Sequence, residues 1–389
     1  MNFKTFCAAP WVHATVNTRQ QLMPCCISRQ RSNMSFDQFD QWWHSDTMNL
    51  LRKDSITGKK NSDCESCWNS EEQGRTSLRQ NYNILFKSYI DYELLRQHDA
   101  LTFDNVKNPV TWELDIGNLC NLKCVMCLPA QSDKIQQEIT NNESAFKSFP
   151  LLVDYAKRKI DKNWLDTPPG QEFLNTVRSD LQWIKLQGGE ALTVKNIRDF
   201  IEKLDHKETV LSITTNGTVL DKKLLHVLAQ IKKVQISISI EAANTVNDVI
   251  RYGSDWTTIL DNINTLYKMP NVELQINHVL QATSAMFLPG VIEFVENRNL
   301  HLAIIPLENH PYLSLAAVPP ALLQKMLDAI IAIDIKHPKN QYIKNFVSTV
   351  VADTKFDKTI QDQFGYYINT LDSLRDSKLL PFCKEIIST

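Results

Sequence analysis

Eight of the nine cysteines of this 389-residue chain lie in its first 127 residues: Cys7, Cys25, Cys26, Cys64, Cys67, Cys120, Cys124 and Cys127. The ninth, Cys383, stands alone near the other end. Thiols serving as core filler would not cluster this way. The opening segment, MNFKTFCAAPWVHATVN, lacks the charged start and apolar run of a secretory signal. No apolar run approaches the ~18 residues of a membrane span. A cytoplasmic protein without a membrane segment is therefore expected. In a reducing compartment, clustered thiols are metal or catalytic sites rather than disulfides.

Composition excludes two further classes. Hydrophobic residues make up 43% and charged residues 22%, which is globular and not disordered. Lys+Arg 42 against Asp+Glu 44 leaves no basic excess for a phosphate backbone, so nucleic acid is not an expected partner.

The first ~80 residues read as irregular, apart from a helical stretch over Ser35–Arg52. Tyr82–Gln97 has helical spacing. Short β-branched runs then follow at Val110–Ile116, Leu181–Leu186, Thr209–Thr214, Lys233–Ile240, Val272–Leu280 and Leu302–Pro306. Amphipathic helical patterns, such as Asn196–Leu204, Lys222–Ile231, Trp256–Tyr267 and Pro289–Asn297, separate them. Strands alternating with helices predict a parallel sheet with helical crossovers. After Pro319 the pattern is wholly helical.

Directly after the first of these strands, DIGNLCNLKCVMCLP sets Cys120, Cys124 and Cys127 in a C-x3-C-x2-C loop. Three close thiolates can hold three irons of a cubane cluster and leave the fourth iron open to another ligand. Structural zinc is the alternative, but it needs a fourth ligand, and no further His or Cys lies nearby.

This loop resembles the signature of the radical S-adenosylmethionine (SAM) superfamily, whose fold is a partial (β/α)6 TIM-type barrel. The resemblance implies a 4Fe–4S cluster on Cys120, Cys124 and Cys127, with SAM chelated by the open iron. It also implies reductive cleavage of SAM to a 5′-deoxyadenosyl radical, hydrogen abstraction from substrate, and an external one-electron reductant such as flavodoxin or ferredoxin. Met126 stands where an often aromatic residue packs by the adenine. Gly188, Gly189 and Glu190 are similar to the family's GGEP motif, which receives the SAM amino group, with Ala191 in place of proline. Asn216-Gly217 follows the third strand. In SISIEAANTVNDVIRYG, Ser239 matches a ribose contact and Arg251 a carboxylate contact, while Glu241-Ala242 replaces the usual Asp-Gly. All four motifs fall at carboxyl ends of strands, where parallel α/β folds bind ligands.

The N-terminal thiols resemble the auxiliary-cluster domain of SPASM/twitch members, which implies a second 4Fe–4S cluster. Cys7, Cys25, Cys64 and Cys67 match its ligands, with Pro24 ahead of Cys25. The choice between Cys25 and Cys26 stays open, and zinc is again the alternative. In the known members this domain follows the barrel; here it precedes it. Trp11, Trp42 and Trp68 are expected to give it a small core. The implied division is an iron–sulfur domain over 1–82, a helical connector over 83–108, the barrel over 109–310 and a helical extension over 311–389.

The function expected is oxidative modification of a peptide or protein. The alternative is dehydrogenation or rearrangement of a small molecule: a sugar, aminocyclitol or nucleotide. An electron carrier or a zinc-held interaction protein would need no SAM-site motifs. His13 is read as a satisfied buried side chain. Cys383 is read as a small buried residue, with hydrogen-atom donation to a substrate radical as its other possible role. No catalytic acid or base is legible.

Overall fold

Among the described residues, eight strands form one sheet: β1 (His13–Val16), β2 (Leu22–Met23), β3 (Thr111–Asp115), β4 (Trp183–Gln187), β5 (Val210–Thr215), β6 (Lys233–Ser239), β7 (Val272–Leu280) and β8 (His301–Pro306). Their order is β2-β1-β3-β4-β5-β6-β7-β8. The hairpin pair β1–β2 is antiparallel and every other pairing is parallel. The last strand does not return to the first, so this computed structural model is a partial TIM-type barrel, open along one side. It describes residues 4–29, 31–32, 38–72, 76–96, 106–160, 162–177, 180–307 and 310–387.

Side-chain alternation gives the sheet two unlike faces. On β6, Val234, Ile236 and Ile238 are buried, while Gln235, Ser237 and Ser239 stay partly open. The apolar set faces the crossover helices: Ile238 and Ile259 of helix Trp256–Tyr267 meet beside Gly217. Each such side chain taken wholly from water contributes about 1.5–3 kcal/mol. Side-chain caps start these helices, with Asp221 accepting from Leu224 N–H and Asp255 from Thr258 N–H. The opposite face is the inside of the open barrel and is polar.

Six strands fall within one or two residues of the runs read from the sequence. The N-terminal segment differs, because it is not irregular. Helices Ala9–Val12, Phe39–Trp43, Asp46–Thr57, Glu65–Glu72 and Leu78–Leu85 fill it. Strand β1 joins the barrel sheet in parallel beside β3, with Thr15 opposite Glu113. The expected stretch Ser35–Arg52 splits at Ser45, which caps the second helix; residues 33–37 lie outside the described ones. Tyr82–Gln97 is likewise no single helix. It contains the end of Leu78–Leu85, a 3-10 turn at Lys87–Tyr89 and a short helix Tyr92–Arg96, while Gln97 lies outside the described residues.

Of the three tryptophans, Trp11 donates to Ser55, and Trp68 donates to Asn61 O beneath the Arg79 guanidinium. Trp42 instead packs with Trp43 and Phe39, and Phe39 packs at a tilt against Trp112 of β3. The N-terminal core is thus continuous with the barrel core.

The C-terminal extension comprises helices Pro320–Ala332, Ile343–Asp353, Lys358–Leu374 and Leu380–Ile387. Cys383 is buried in the last of these, and burial pushes its thiol up to about 12. No helix among the described residues is long and apolar enough to cross a membrane.

Candidate functional site

The loop carrying Cys120, Cys124 and Cys127 leaves the carboxyl end of β3 and is fixed from four sides. The Cys120 N–H donates to Asp133 Oδ1 at 3.0 Å, which ties the loop to the next helix. Lys123 N–H and Val125 N–H donate to Tyr252 O and Ile250 O, both at 2.9 Å. Glu190 N–H donates to Leu119 O at 2.8 Å. From the C-terminal extension, the Tyr367 hydroxyl donates to Val125 O, and Arg375 pairs with Glu138 of helix Asp133–Asn141.

The glycines of the 188–190 turn are required by this packing. Gly188 and Gly189 have φ of +96° and +49°, which a side chain resists. A Cβ at Gly189 would also collide with the Leu119 carbonyl, and one at Gly188 with the Asp115 carboxylate. The close approach is therefore between the turn and the cysteine loop itself.

Glu190 is fully buried, and its carboxylate accepts from three protein donors. These are Leu192 N–H at 3.1 Å, the Thr215 hydroxyl at 2.8 Å and Asn216 N–H at 2.6 Å. Burial pushes Glu190 up against these donors. An ionised carboxylate has about four acceptor positions, so one is left for a ligand ammonium. Asn216 Nδ2 in turn donates to Asn121 Oδ1, in the cysteine loop, at 2.8 Å. Met126 is buried in the loop, and Ser239 ends β6 on the inner face.

Arg251 was not expected to touch the cysteines. Its Nη1 lies 3.8 Å from Cys124 Sγ and its Nη2 donates to Glu241 Oε1 at 2.7 Å. Its Nε is buried without a partner among the described residues. Glu241 accepts Val279 N–H through its other oxygen, and burial pushes it up to about 7. A hydrogen bond from Cys127, together with the nearby Arg251 cation, holds Cys124 below the usual thiol range. Burial pushes Cys120 up to about 12, a proton that iron would displace.

The N-terminal thiols converge as well. Cys7, Cys25, Cys64 and Cys67 line one small pocket with Arg79 and Tyr82. Burial raises all four thiols, Cys7 and Cys64 to about 12. Among the described residues, no three His, Cys, Asp or Glu side chains form a group closed enough for a single metal ion. Cys26 does not line that pocket; its Sγ lies 3.9 Å from the Tyr82 hydroxyl. Tyr82 donates to Glu113 of β3, which also takes Lys185 of β4 at 2.9 Å. Burial would raise Glu113, but Lys185 holds it below the usual carboxylate range. His13 is fully buried between Thr111 and Thr15 and is held neutral, its pKa lowered by burial to about 4.

Sequence reading missed the Glu113–Lys185 pair and the Tyr367 and Arg375 contacts. Only the first left a signal, as charged residues at alternate positions of WELD and WIKLQ.

The open α/β barrel carries three thiols grouped in the loop after β3, and residues 114–280 match the model of the Radical SAM superfamily. The superfamily's cofactors are a 4Fe–4S cluster and SAM, and the thiolate-favouring pocket at Cys124 and the remaining acceptor position of Glu190 fit them.

Among known proteins, the chain is similar to the GTP 3′,8-cyclase of Alkaliphilus oremlandii, 24% identical over 171 residues, or 43% of this chain and 46% of that protein. It is also similar to the GTP 3′,8-cyclase of Clostridium acetobutylicum, 25% identical over 170 residues, again 43% and 46%. The chain thus spans about half the length of the curated relatives it matches. Similar solved structures include native anSMEcpe with bound AdoMet, with TM-score 0.37 and 15% identity, covering 64% of this chain and 62% of that one. Streptococcus suis SuiB bound to precursor peptide SuiA has TM-score 0.40 and 13% identity, covering 84% and 66%.

Proposed function

We propose that this chain is a radical SAM enzyme that abstracts a hydrogen atom from its substrate and completes an oxidative modification with the help of a second 4Fe–4S cluster. When bound, the cluster and SAM supply a one-electron cleavage that yields a 5′-deoxyadenosyl radical. Cys120, Cys124 and Cys127 would hold the first cluster. Glu190 would orient the SAM ammonium, Ser239 its ribose and Arg251 its carboxylate, with Met126 against the adenine. Arg251 also places a fixed cation beside Cys124, where negative charge concentrates. Cys7, Cys25, Cys64 and Cys67 would hold the second cluster, which would accept the electron a substrate radical gives up; in support, Tyr82 lines their pocket and donates to Glu113 on the inner face of the sheet. An external reductant of the flavodoxin or ferredoxin class would supply the first electron.

The observation that carries this reading is the meeting of the cysteine loop, the Gly188–Glu190 turn, Asn216 and Arg251 in one hydrogen-bonded group. Anaerobic reconstitution tests it. About eight irons per chain are expected, with SAM converted to 5′-deoxyadenosine under strong reductant. Four irons with stoichiometric zinc would overturn the second cluster. Absence of 5′-deoxyadenosine would overturn the first part.

Of the two substrate classes the sequence leaves open, peptide and small molecule, the inner face of the sheet favours the second.

A further inference from the structure

Apart from Ser239 at the end of β6, the inner face of β3–β7 is not needed to hold SAM, yet it has a definite chemistry. Gln187, Thr214, Gln235, Ser237, Gln275 and Asn277 project onto it, and all are partly open. Each carries both donors and acceptors in a neutral group. The strands place two cations on this side, and both are taken: Lys185 by Glu113 at 2.9 Å and Lys233 by Glu273 at 3.0 Å. Glu273 also takes Lys339 at 2.8 Å, so with Asp115 added to Glu113 the carboxylates match these lysines in number and each lysine is already paired. A phosphate there would meet like charge and no free partner.

Asp115 stands apart from Gln235, Ser237, Gln275 and Asn277, whose side chains are hydrogen-bonded. It ends β3 beside the Gly188 turn, and its Oδ1 is buried with no hydrogen-bond partner among the described residues. A buried carboxylate oxygen without a donor costs about 1–3 kcal/mol or more. Oδ1 is packed against Gly188, but the Asp115 side chain is partly open, so a donor from the inner face can reach the carboxylate through its other oxygen. Below, the face is closed by Phe86, which stacks on His13 and packs edge-on to Trp183. A chain running through the barrel would need that end open, so a compact ligand fits better than an extended peptide.

We propose that the inner face of β3–β7 binds an uncharged, polyhydroxylated small molecule without phosphate, with Asp115 accepting a hydrogen bond from one of its hydroxyls. This substrate class rests on the radical SAM reading above. It separates the chain from the cyclases it resembles, whose names specify GTP.

Saturation-transfer NMR on the anaerobically reconstituted holoenzyme tests the proposal without turnover. The probes are myo-inositol, D-glucose, GTP and the tripeptide Gly-Ser-Ala. Transfer to at least one of the two polyols is expected, weakened about tenfold in Asp115→Asn, where a neutral hydrogen bond replaces a charge-assisted one. Should that variant fail to fold, Gln275→Leu provides the same readout. Transfer to GTP or the tripeptide alone, or to no probe, overturns the substrate class. Formation of 5′-deoxyadenosine without any probe is scored separately. If it is present while no polyol binds, only this proposal fails; if a polyol binds without it, only the SAM reading fails.

Discussion

The Arg251 guanidinium reaches across 127 residues of sequence to lie 3.8 Å from Cys124 Sγ. It is held there by Glu241, itself fully buried and pinned by the Val279 N–H. The residue expected to meet the SAM carboxylate is therefore also part of the wall around the cysteine loop. One cation beside both a thiolate and an incoming carboxylate lowers the energy of negative charge at each.

Removing that cation should be costly in two measurable ways. Arg251→Met leaves Glu241 buried and uncompensated, for a loss of about 3–5 kcal/mol in urea unfolding. The double variant Arg251→Met/Glu241→Leu should recover most of it. In either variant the potential of the first cluster, followed by EPR during reductive titration, should move to more negative values. An unchanged potential would place Arg251 outside the cluster's electrostatics.

Gly189 and Gly290 should respond oppositely to alanine. At Gly189 a Cβ falls 2.8 Å from Leu119 C at a φ of +49°, so Gly189→Ala should cost about 1–3 kcal/mol and impair SAM binding. At Gly290, in helix Leu288–Glu296, a Cβ meets nothing within 4 Å. Gly290→Ala should therefore stabilise by about 0.5–1 kcal/mol. Thermal or urea unfolding of the two variants side by side checks both signs.

Cys25 and Cys26 are adjacent in sequence but face different surroundings. Cys25→Ala should lower iron from about eight to about four per chain, whereas Cys26→Ala should keep about eight. Solubility must be compared first, because metal binding contributes to folding free energy. Iron lost from Cys26→Ala and kept in Cys25→Ala would reverse the ligand assignment.

The contrast between these neighbours shows what a sequence carries and what it does not. Cys120, Cys124 and Cys127 are legible because the group is local and its spacing restricts the chemistry, and Gly188–Glu190 stands out through its resemblance to a family motif and its place at a strand end. The direction in which Cys25 and Cys26 point depends on the turn after β2 and on Tyr82, 56 residues beyond Cys26. Strand β1 was missed because HATV is only four residues long, follows directly on a helix, and is buried at every position. A short strand buried on both faces shows no alternation to read. Arg375 and Glu138 are 237 residues apart, and nothing local distinguishes their pair from two solvated side chains.

Acid sensitivity should be traceable to His13. Its folded pKa of about 4 lies below the ordinary 6.5, so between these values the unfolded chain binds a proton that the folded chain refuses. Stability from this group is complete above pH 6.5 and falls as pH drops towards 4, by about 1.4 kcal/mol per pH unit. Asp115 and Glu241, both raised to about 7, each act with the opposite sign and together outweigh this one group, while His278 and His310, lowered by burial to about 3 and about 4, act with the same sign as His13. The contribution must therefore be read by difference. In urea unfolding over this range, His13→Asn should have a stability slope against pH lower by about one proton than the wild type. Equal slopes would mean that His13 does not stay neutral.

The central claim is that the thiols of the loop after β3 make SAM cleavage possible. The most direct measurement is 5′-deoxyadenosine formed under strong reductant by anaerobically reconstituted wild type and by Cys120→Ala/Cys124→Ala/Cys127→Ala, with the Cys7, Cys25, Cys64 and Cys67 set left intact. The wild type should form it alongside methionine, and the triple variant should form none while retaining about four irons. Formation of 5′-deoxyadenosine by the folded triple variant would contradict the account.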